Sequence, residues 1–549
     1  MPNCKTCTTG FEITDEENRL YQKFGVEPTG LCFDCDQKTR LCFRNERVLY
    51  QRKCDSTGEK IVTIYAPDKP YKIYKSDVWY GDSWDELSYG QDFDPNRPFF
   101  DQLKELQLKV PRPPSVNVNS QNSEYCNMCV YNKNSYLVFG GDYNEDVLYG
   151  TLCMKNKNSL DIDISNNCEL CYMIGDVIGS YGCHFAFDSK NCKNCYYISD
   201  CSNCNECILC VNLSNKSYCI ENKQYSKEEY FEKKKEIING SYKNQQELFE
   251  KFREMHSNRI VKFSHQINCQ NCTGDYIKNS KNCINCFDAG KSEDCRNCIL
   301  IYGAKDVFNS SFVGHGNELC YSETSTIGSI SCMFSYFVFD SSNLLYCDIA
   351  VNSNDCFGCV GVNRKKYCIL NKQYSPEEYE QLKSEIIKHM KKTGEWGQYL
   401  RKDLSCFGYN ESTAQKYYPL EKDQAIKEGF TWYDTPEQPP ESDKVIPAER
   451  LPDNINDTPD DILNWAIKCE KSGRLYKIIP KELQFYRNNN IPIPHLHSDE
   501  RHYLRRELRN KNRLYNRNCQ KCGENLVSTY SENRPEKIYC EECYLKTVY

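Results

Sequence analysis

From residue 122 to 222, and again from 262 to 372, small and apolar positions return on a fixed short period. Cys171, Cys183, Cys195, Cys207 and Cys219 stand 12 residues apart, and Cys168, Ser180, Cys192 and Cys204 form a second column at the same spacing. In the second stretch Cys283 and Cys295 continue the rule, as do Cys320, Cys332, Leu344, Cys356 and Cys368. The phrase Ser, any residue, Asn or Asp, then Cys-x-x-Cys recurs at Ser189 to Cys195, Ser280 to Cys286 and Ser292 to Cys298. Twelve residues cannot hold a pair of helices, but they can hold one or two short strands and their corners. The period therefore predicts a β-solenoid in two halves, with coils stacked about 4.8 Å apart. Small Ser, Asn and Cys suit inward corners, whereas Tyr196, Tyr197 and Ile198 suit strand positions.

Elsewhere the pattern changes. Residues 81–121 lose all periodicity and read as a connector with one short amphipathic helix, Phe99 to Leu108, stopped by Pro111 and Pro113. Both repeat regions close on one phrase, Tyr218-Cys219-Ile220 to Ser226 and Tyr367-Cys368-Ile369 to Ser375. Each Ser precedes acidic residues (Glu228-Glu229, Glu377-Glu378), as an N-cap does. Helices are thus expected at 226–257, interrupted near Gly240, within a helical insertion at 223–261, and at 376–392 within 373–404. Residues 405–468 are mixed, with a linker from Pro439 to about Asn456 and a helix from Thr458 through Lys468.

The two ends are copies of each other. Residues 4–80 align without a gap on 469–545, at a constant offset of 465. Arg44-Asn45, Leu49-Tyr50, Arg52, Cys54, Gly58 and Lys72-Ile73-Tyr74 return as Arg509-Asn510, Leu514-Tyr515, Arg517, Cys519, Gly523 and Lys537-Ile538-Tyr539. A parent with four C-x2-C pairs would bind two metals. The first copy, 1–80, keeps Cys4/Cys7 and Cys32/Cys35; the second, 469–549, keeps Cys519/Cys522 and Cys540/Cys543. C-x2-C-x24-C-x2-C and C-x2-C-x17-C-x2-C both suit four thiolates around a tetrahedral zinc. Where one copy has Thr57, Lys75 and Val78, the other has Cys522, Cys540 and Cys543.

Cys4-x2-Cys7, Phe11-x-Ile13, Glu17, Tyr21, Gly25, Pro28 and Cys32-x2-Cys35 resemble small zinc-ribbon or treble-clef domains of bacteria. The whole layout resembles cysteine-rich proteins of candidate-phyla bacteria that carry such modules at both ends, a resemblance that brings no activity with it. The expected fold class is mainly β with α, a central two-part solenoid flanked by the duplicated modules.

Three further sets compete with plainer readings. Cys469, His497 and Glu500, with Ser472, fill the second copy's missing site; they make either a catalytic zinc pocket or a decayed site held by packing. Cys192/Cys195 with Cys204/Cys207, and Cys283/Cys286 with Cys295/Cys298, share C-x2-C-x8-C-x2-C and either close on zinc between adjacent coils or form a buried ladder of reduced thiols. Cys201, Cys204, Cys207 and Cys210 invite comparison with an iron–sulfur run, but the last spacing is wrong and no Pro follows. From Arg501 to Arg517 the second module is basic. With Leu504, Leu508 and Tyr515 facing inward, Arg505, Arg506, Arg509, Arg513 and Arg517 would face outward and contact RNA phosphates, or else pair with nearby acids.

Composition narrows the field. The chain has 549 residues, a formal net charge of −7 and 37 cysteines. It is no polycation, so a nucleic-acid surface would have to be local. No leader-like start and no apolar run near the roughly 20 residues that span a bilayer lead to the expectation of a soluble, cytoplasmic protein. Thiols there serve as metal ligands or small hydrophobes rather than as disulfides. Abundant Tyr, Asn and Lys read as base composition. No nucleophile elbow, phosphate loop, dinucleotide fingerprint or zincin motif stands out. The reading is a non-enzymatic zinc-binding scaffold that takes RNA, a ribonucleoprotein or a protein partner through its terminal modules. The alternative is a metal-dependent or redox enzyme using the solenoid cysteines or the Cys469/His497/Glu500 pocket.

Overall fold

The structure, a computed structural model, describes residues 1–434 and 439–548. The chain is mostly β with α, and a cysteine cluster lies near each terminus. Two stacks of short parallel strands form its centre. In the first, Tyr172 pairs with His184, His184 with Tyr196, Tyr196 with Ile208, and Cys207 with Cys219, each a step of 12 residues. In the second, Phe287, Ile299 and Ser311 pair in turn at the same step, a 13-residue step joins Ser311 to Thr324, and the 12-residue register resumes through Tyr336, Asp348 and Val360. Each stack ends on a two-residue antiparallel strand, Lys223–Gln224 or Lys372–Gln373, which covers the last edge.

Within each 12-residue repeat the backbone keeps a shorter rhythm of three. Asp188, Asn191, Asn194, Tyr197, Asp200, Asn203, Glu206, Leu209, Asn212 and Asn215 all have φ between 48° and 57°. One residue of each triplet bonds to the next repeat, the second takes the left-handed conformation, and the third (Cys192, Cys195, Ile198, Cys201, Cys204) is buried in the shared core. Asn and Asp tolerate left-handed backbone better than other side chains with a Cβ. At the exposed corners their side chains also link repeat to repeat, with Asn191 Nδ2 donating to Asn203 Oδ1 and Asn203 Nδ2 to Asn215 Oδ1, both at 3.2 Å. The abundance of Asn is thus structural, not a mere effect of base composition.

One left-handed column departs from the Asn rule. Met173, Phe185, Tyr197 and Leu209 occupy it, and all are buried. Phe185 stacks on Tyr197 at 4.6 Å, and helix Tyr242–Ser257 covers them with Phe249 and Phe252. The left-handed conformation costs such residues about 1–2 kcal/mol each, which burying a large apolar side chain, worth about 1.5–3 kcal/mol, offsets. Helix position is therefore written in which corners are apolar.

The terminal modules correspond element by element at the 465-residue offset. Helix Asp15–Lys23 matches Pro480–Asn488, Phe33–Leu41 matches Ser498–Glu507, and the hairpin Tyr50–Lys53 with Lys60–Thr63 matches Tyr515–Asn518 with Asn525–Ser528. Registers agree too, Tyr50 facing Thr63 as Tyr515 faces Ser528. Each module joins the strand that leads into one stack. Ile73 bridges to Arg112 and Ile538 pairs with Val261; Thr63 Oγ1 donates to the Pro114 carbonyl and Ser528 Oγ to that of Phe263. Arg112 and Val261, like Pro114 and Phe263, lie 149 residues apart, the spacing of the two closing phrases. The chain is built as two interlocked copies whose contacts are reciprocal, as in a two-fold dimer.

Several expectations on segments need correction. The basic stretch is helical only over Ser498–Glu507 and turns into the hairpin by Tyr515. No single helix runs from Thr458 to Lys468: a 3-10 turn at Asp460–Asn464 gives way to strand Ala466–Lys468. That strand pairs with Val445–Pro447, inside the stretch expected to be a linker, and with Leu475–Tyr476. Residues 435–438 of the mixed region and Tyr549 of the second module lie outside the described residues. Helices Phe99–Lys109, Lys227–Ile237, Tyr242–Ser257 and Pro376–Thr393 lie close to the positions read from the sequence, and Ser226/Glu229 and Ser375/Glu378 form capping boxes. No helix among the described residues is long and apolar enough to cross a membrane.

Candidate metal centres

In each module one C-x2-C pair precedes a turn and the other opens a helix. Cys32 caps Phe33–Leu41, and Cys540 immediately precedes Glu541–Val548. The result is two sets, Cys4/Cys7/Cys32/Cys35 and Cys519/Cys522/Cys540/Cys543, whose four sulfurs lie within 4.8 Å of one another. Cys7 Sγ is 3.6 Å from Cys32 Sγ and Cys522 Sγ is 3.7 Å from Cys540 Sγ. Four sulfurs at 2.3 Å from a tetrahedral ion are about 3.8 Å apart, so both sets fit such an ion. In each set two thiols are buried and one is exposed.

Electrostatics favour the thiolate at Cys4, Cys32 and Cys519 and oppose it at Cys35, Cys540 and Cys543, as expected where neighbouring thiols share protons with no ion between them. A side-chain hydrogen bond from Cys35, the largest influence, holds Cys32 down to about 5 against the pull of burial. Burial pulls Cys519 up, but the backbone N–H groups of Cys540, Cys522 and Lys521 outweigh it and hold the thiol down to about 6. The Cys540 N–H donates to Cys519 Sγ at 3.3 Å. A thiolate is the form that metals take.

The positions that have lost their partners keep this backbone geometry without a ligand set. Lys75 N–H donates to Cys54 Sγ and His497 N–H to Cys469 Sγ, each at 3.3 Å. Cys469, His497 and Glu500 do not come together as a catalytic pocket. His497 Nδ1 accepts from the Asp499 N–H and caps its helix, while Glu500 pairs with Lys471 at 3.1 Å. The side chains that replaced cysteine are thus engaged locally.

Nor do the stack cysteines form centres. Among the described residues, neither Cys192/Cys195/Cys204/Cys207, nor Cys283/Cys286/Cys295/Cys298, nor Cys201/Cys204/Cys207/Cys210 brings three ligand atoms within 4.8 Å of one another. A tetrahedral site needs every pair equally close, and no three of these sulfurs meet that condition. Their thiols lie near carbonyls: Cys192 Sγ is 3.4 Å from Lys190 O and 3.6 Å from Cys201 O, and Cys195 Sγ is 3.3 Å from Lys193 O and 3.6 Å from Cys204 O. They serve as small hydrophobes with weak donors.

The arginines expected to meet phosphate are mostly committed within the fold. Arg505 is 3% exposed, with Nη1 donating to Asp161 at 3.0 Å and Nε to Asp163 at 3.1 Å. Arg509 donates to Asp288 at 3.1 Å, lies 3.3 Å from Asp176, and covers the Tyr276 ring at 3.8 Å. Arg517 Nη1 donates to the Tyr530 carbonyl at 2.8 Å. Arg506 is half-buried and Arg513 is exposed. The correction has a simple cause: Asp161, Asp176 and Asp288 sit at left-handed corners of the stacks that this module faces.

Sequence reasoning missed a third set, Asp188, Asp200 and His265, each with a ligand atom within 4.8 Å of the others. The left-handed period that puts Asp176, Asp188 and Asp200 in one column could have exposed it. Arg259 Nε donates to Asp200 at 2.5 Å, the Tyr276 hydroxyl to Asp188 at 2.7 Å, and His265 Nδ1 lies 2.9 Å from Asp275. Burial opposes charge on His265, but Asp275, Asp188 and Asp200 together carry it up to about 9. Two cations already answer these carboxylates, so the set is an ion network between the stacks.

No family model and no curated protein matches the chain. Among solved structures, one described as a "putative acetyltransferase" of Desulfovibrio desulfuricans G20 is 9% identical, with a TM-score of 0.11, over 44% of this chain and 62% of that one. Similarity at that level assigns neither fold nor activity.

Proposed function

We propose that this chain is a non-enzymatic, zinc-binding scaffold: a β-solenoid in two halves, locked by zinc-ribbon or treble-clef modules at its ends. The carrying observation is the pair of four-thiol sets, each geometrically fit for a tetrahedral ion and each on a module that grips a stack. Sulfur ligands in that geometry suit zinc. All 37 cysteines are free, which agrees with a reducing compartment such as the cytoplasm. The solenoid reading is supported by the 12-residue parallel register and its left-handed corners.

The partner reading now leans towards protein. With Arg505 and Arg509 closed on aspartates, the helix has no continuous basic face to offer RNA, and Arg513 is the exposed cation that remains of the pair-free set. Crosslinking in native cells followed by capture of the chain, with and without ribonuclease, tests this. Protein partners that survive ribonuclease are expected; their loss on ribonuclease treatment would favour RNA or a ribonucleoprotein.

A further inference from the structure

The short helix Thr413–Tyr417 lies between the two modules: Thr413 Oγ1 donates to the Arg44 carbonyl at 2.8 Å, and Tyr417 lies beside Arg506. Four polar atoms are buried there without a hydrogen-bond partner: Lys416 Nζ, the Tyr417 hydroxyl, Arg506 Nη1 and His502 Nε2. The Arg506 guanidinium is 5.8 Å from the centre of the Tyr417 ring, and Lys416 Nζ is 5.6 Å from the same centre. Arg506 enters no ion pair among the described residues, unlike its neighbours Arg505 and Arg509. Lys416 has only the second oxygen of Glu46, at 3.5 Å, whose first oxygen already accepts from Arg44. His502 is 1% exposed; its Nδ1 lies 3.0 Å from Asp163, which leaves Nε2 of the neutral ring as an acceptor.

A lysine with its Nζ buried and a half-buried arginine beside one ring, with a single carboxylate oxygen in ion-pair range, at 3.5 Å from Lys416, are costly unless something answers them. Donors prevail, but one acceptor, His502 Nε2, also lacks a partner. That combination discriminates between oxyanions. Hydrogen phosphate carries one proton, which it can donate to that nitrogen; sulfate at neutral pH carries none, and would face His502 lone pair to lone pair.

We propose that this junction binds a free hydrogen phosphate ion, held by Lys416, Arg506 and Tyr417 and selected over sulfate by His502. Burial, with Arg506 and Arg47 adding to it, pushes Lys416 down to about 8 despite Glu46. A bound anion would restore its charge. Such an ion would tie helix Thr413–Tyr417 to helix Ser498–Glu507, and so one half of the duplicated chain to the other.

Equilibrium dialysis of the metal-loaded full chain against inorganic phosphate is the test, with thermal unfolding in phosphate, sulfate and chloride at matched ionic strength beside it. One phosphate per chain is expected, with a melting temperature that rises with phosphate concentration and much less with sulfate. Arg506→Gln and Lys416→Gln should each weaken phosphate roughly tenfold or more, with metal content unchanged. Should Lys416→Gln fail to fold, dialysis of the wild type and of Arg506→Gln decides. No saturable phosphate in the wild type, or affinity unchanged in Arg506→Gln, overturns the proposal. Equal binding of sulfate overturns the selective role of His502, and competition by a nucleoside monophosphate overturns the free ion.

Discussion

Arg44 and Arg509 hold the same position in the two terminal modules, and each crosses to the stack that its own module does not lead into. Arg44 Nη1 donates to Ser325 Oγ at 2.6 Å and its guanidinium lies 3.9 Å over Phe312; Arg509 lies 3.3 Å from Asp176, and it also keeps its own stack, donating to Asp288 at 3.1 Å and lying 3.8 Å over Tyr276. Ser325 and Asp176 are themselves 149 residues apart, so the contact recurs under the offset that relates the stacks. The equivalence fails four residues earlier. Arg505 meets Asp161 and Asp163, whereas Arg40 closes only on Asp36 within its own helix.

Arg505→Met is therefore expected to lower stability by about 3–5 kcal/mol, because it removes the guanidinium that bridges two buried carboxylates and leaves Asp161 to Arg501 alone and Asp163 to His502 alone. Arg513→Met, at an exposed position, should stay within about 0.5 kcal/mol of wild type. Urea unfolding followed by circular dichroism separates the two. Equal, small effects would mean that the ion network at Asp161 and Asp163 does not form.

The left-handed rhythm makes a second, opposite pair of expectations. Asn203→Gly should be nearly neutral, since glycine adopts positive φ freely, while Asn203→Val should cost about 1–2 kcal/mol for a β-branched residue held left-handed. Thermal midpoints of the two variants measure this. Val tolerated as well as Gly would show that residue 203 is not left-handed.

How far the sequence was legible depended on the distance of the deciding partner. The 465-residue offset, the 12-residue columns and the capped helices after Ser226 and Ser375 are written locally, and each could be read from one stretch of chain. The three-residue rhythm was hidden because its left-handed corners change character, Asn at 191, 194 and 203 but Phe or Tyr at 185 and 197, beneath helix Tyr242–Ser257. The fate of Arg505 was hidden because Asp161 lies 344 residues away. The segment before Lys468 reads as a helix by its Thr-Pro-Asp start, yet becomes a strand through partners at Val445–Pro447 and Leu475–Tyr476.

In the core of the first stack, Cys195 is fully buried. Cys195→Ala removes one small group and should cost about 1–2 kcal/mol, whereas Cys195→Arg places an unpaired charge among apolar neighbours and should prevent folding. Soluble yield and circular dichroism report the difference. An arginine variant that folds normally would place residue 195 at the surface.

Stability should also depend on pH through His265. Its folded value, about 9, lies above the ordinary histidine value of about 6.5. The proton is bound more tightly when folded, so its contribution is complete below about pH 6.5 and is lost as pH rises through about 9. His265→Gln should flatten that part of the profile, measured as the urea midpoint of wild type minus variant. A difference independent of pH would mean that His265 is not charged in the fold.

Elemental analysis of the purified chain tests the central claim most directly. Two zinc ions per chain are expected, one in each four-thiol set, with Cys4→Ser/Cys7→Ser and Cys519→Ser/Cys522→Ser each leaving one, and all four substitutions leaving none. Iron in place of zinc, a metal content near four, or a content unmoved by these substitutions would contradict the account.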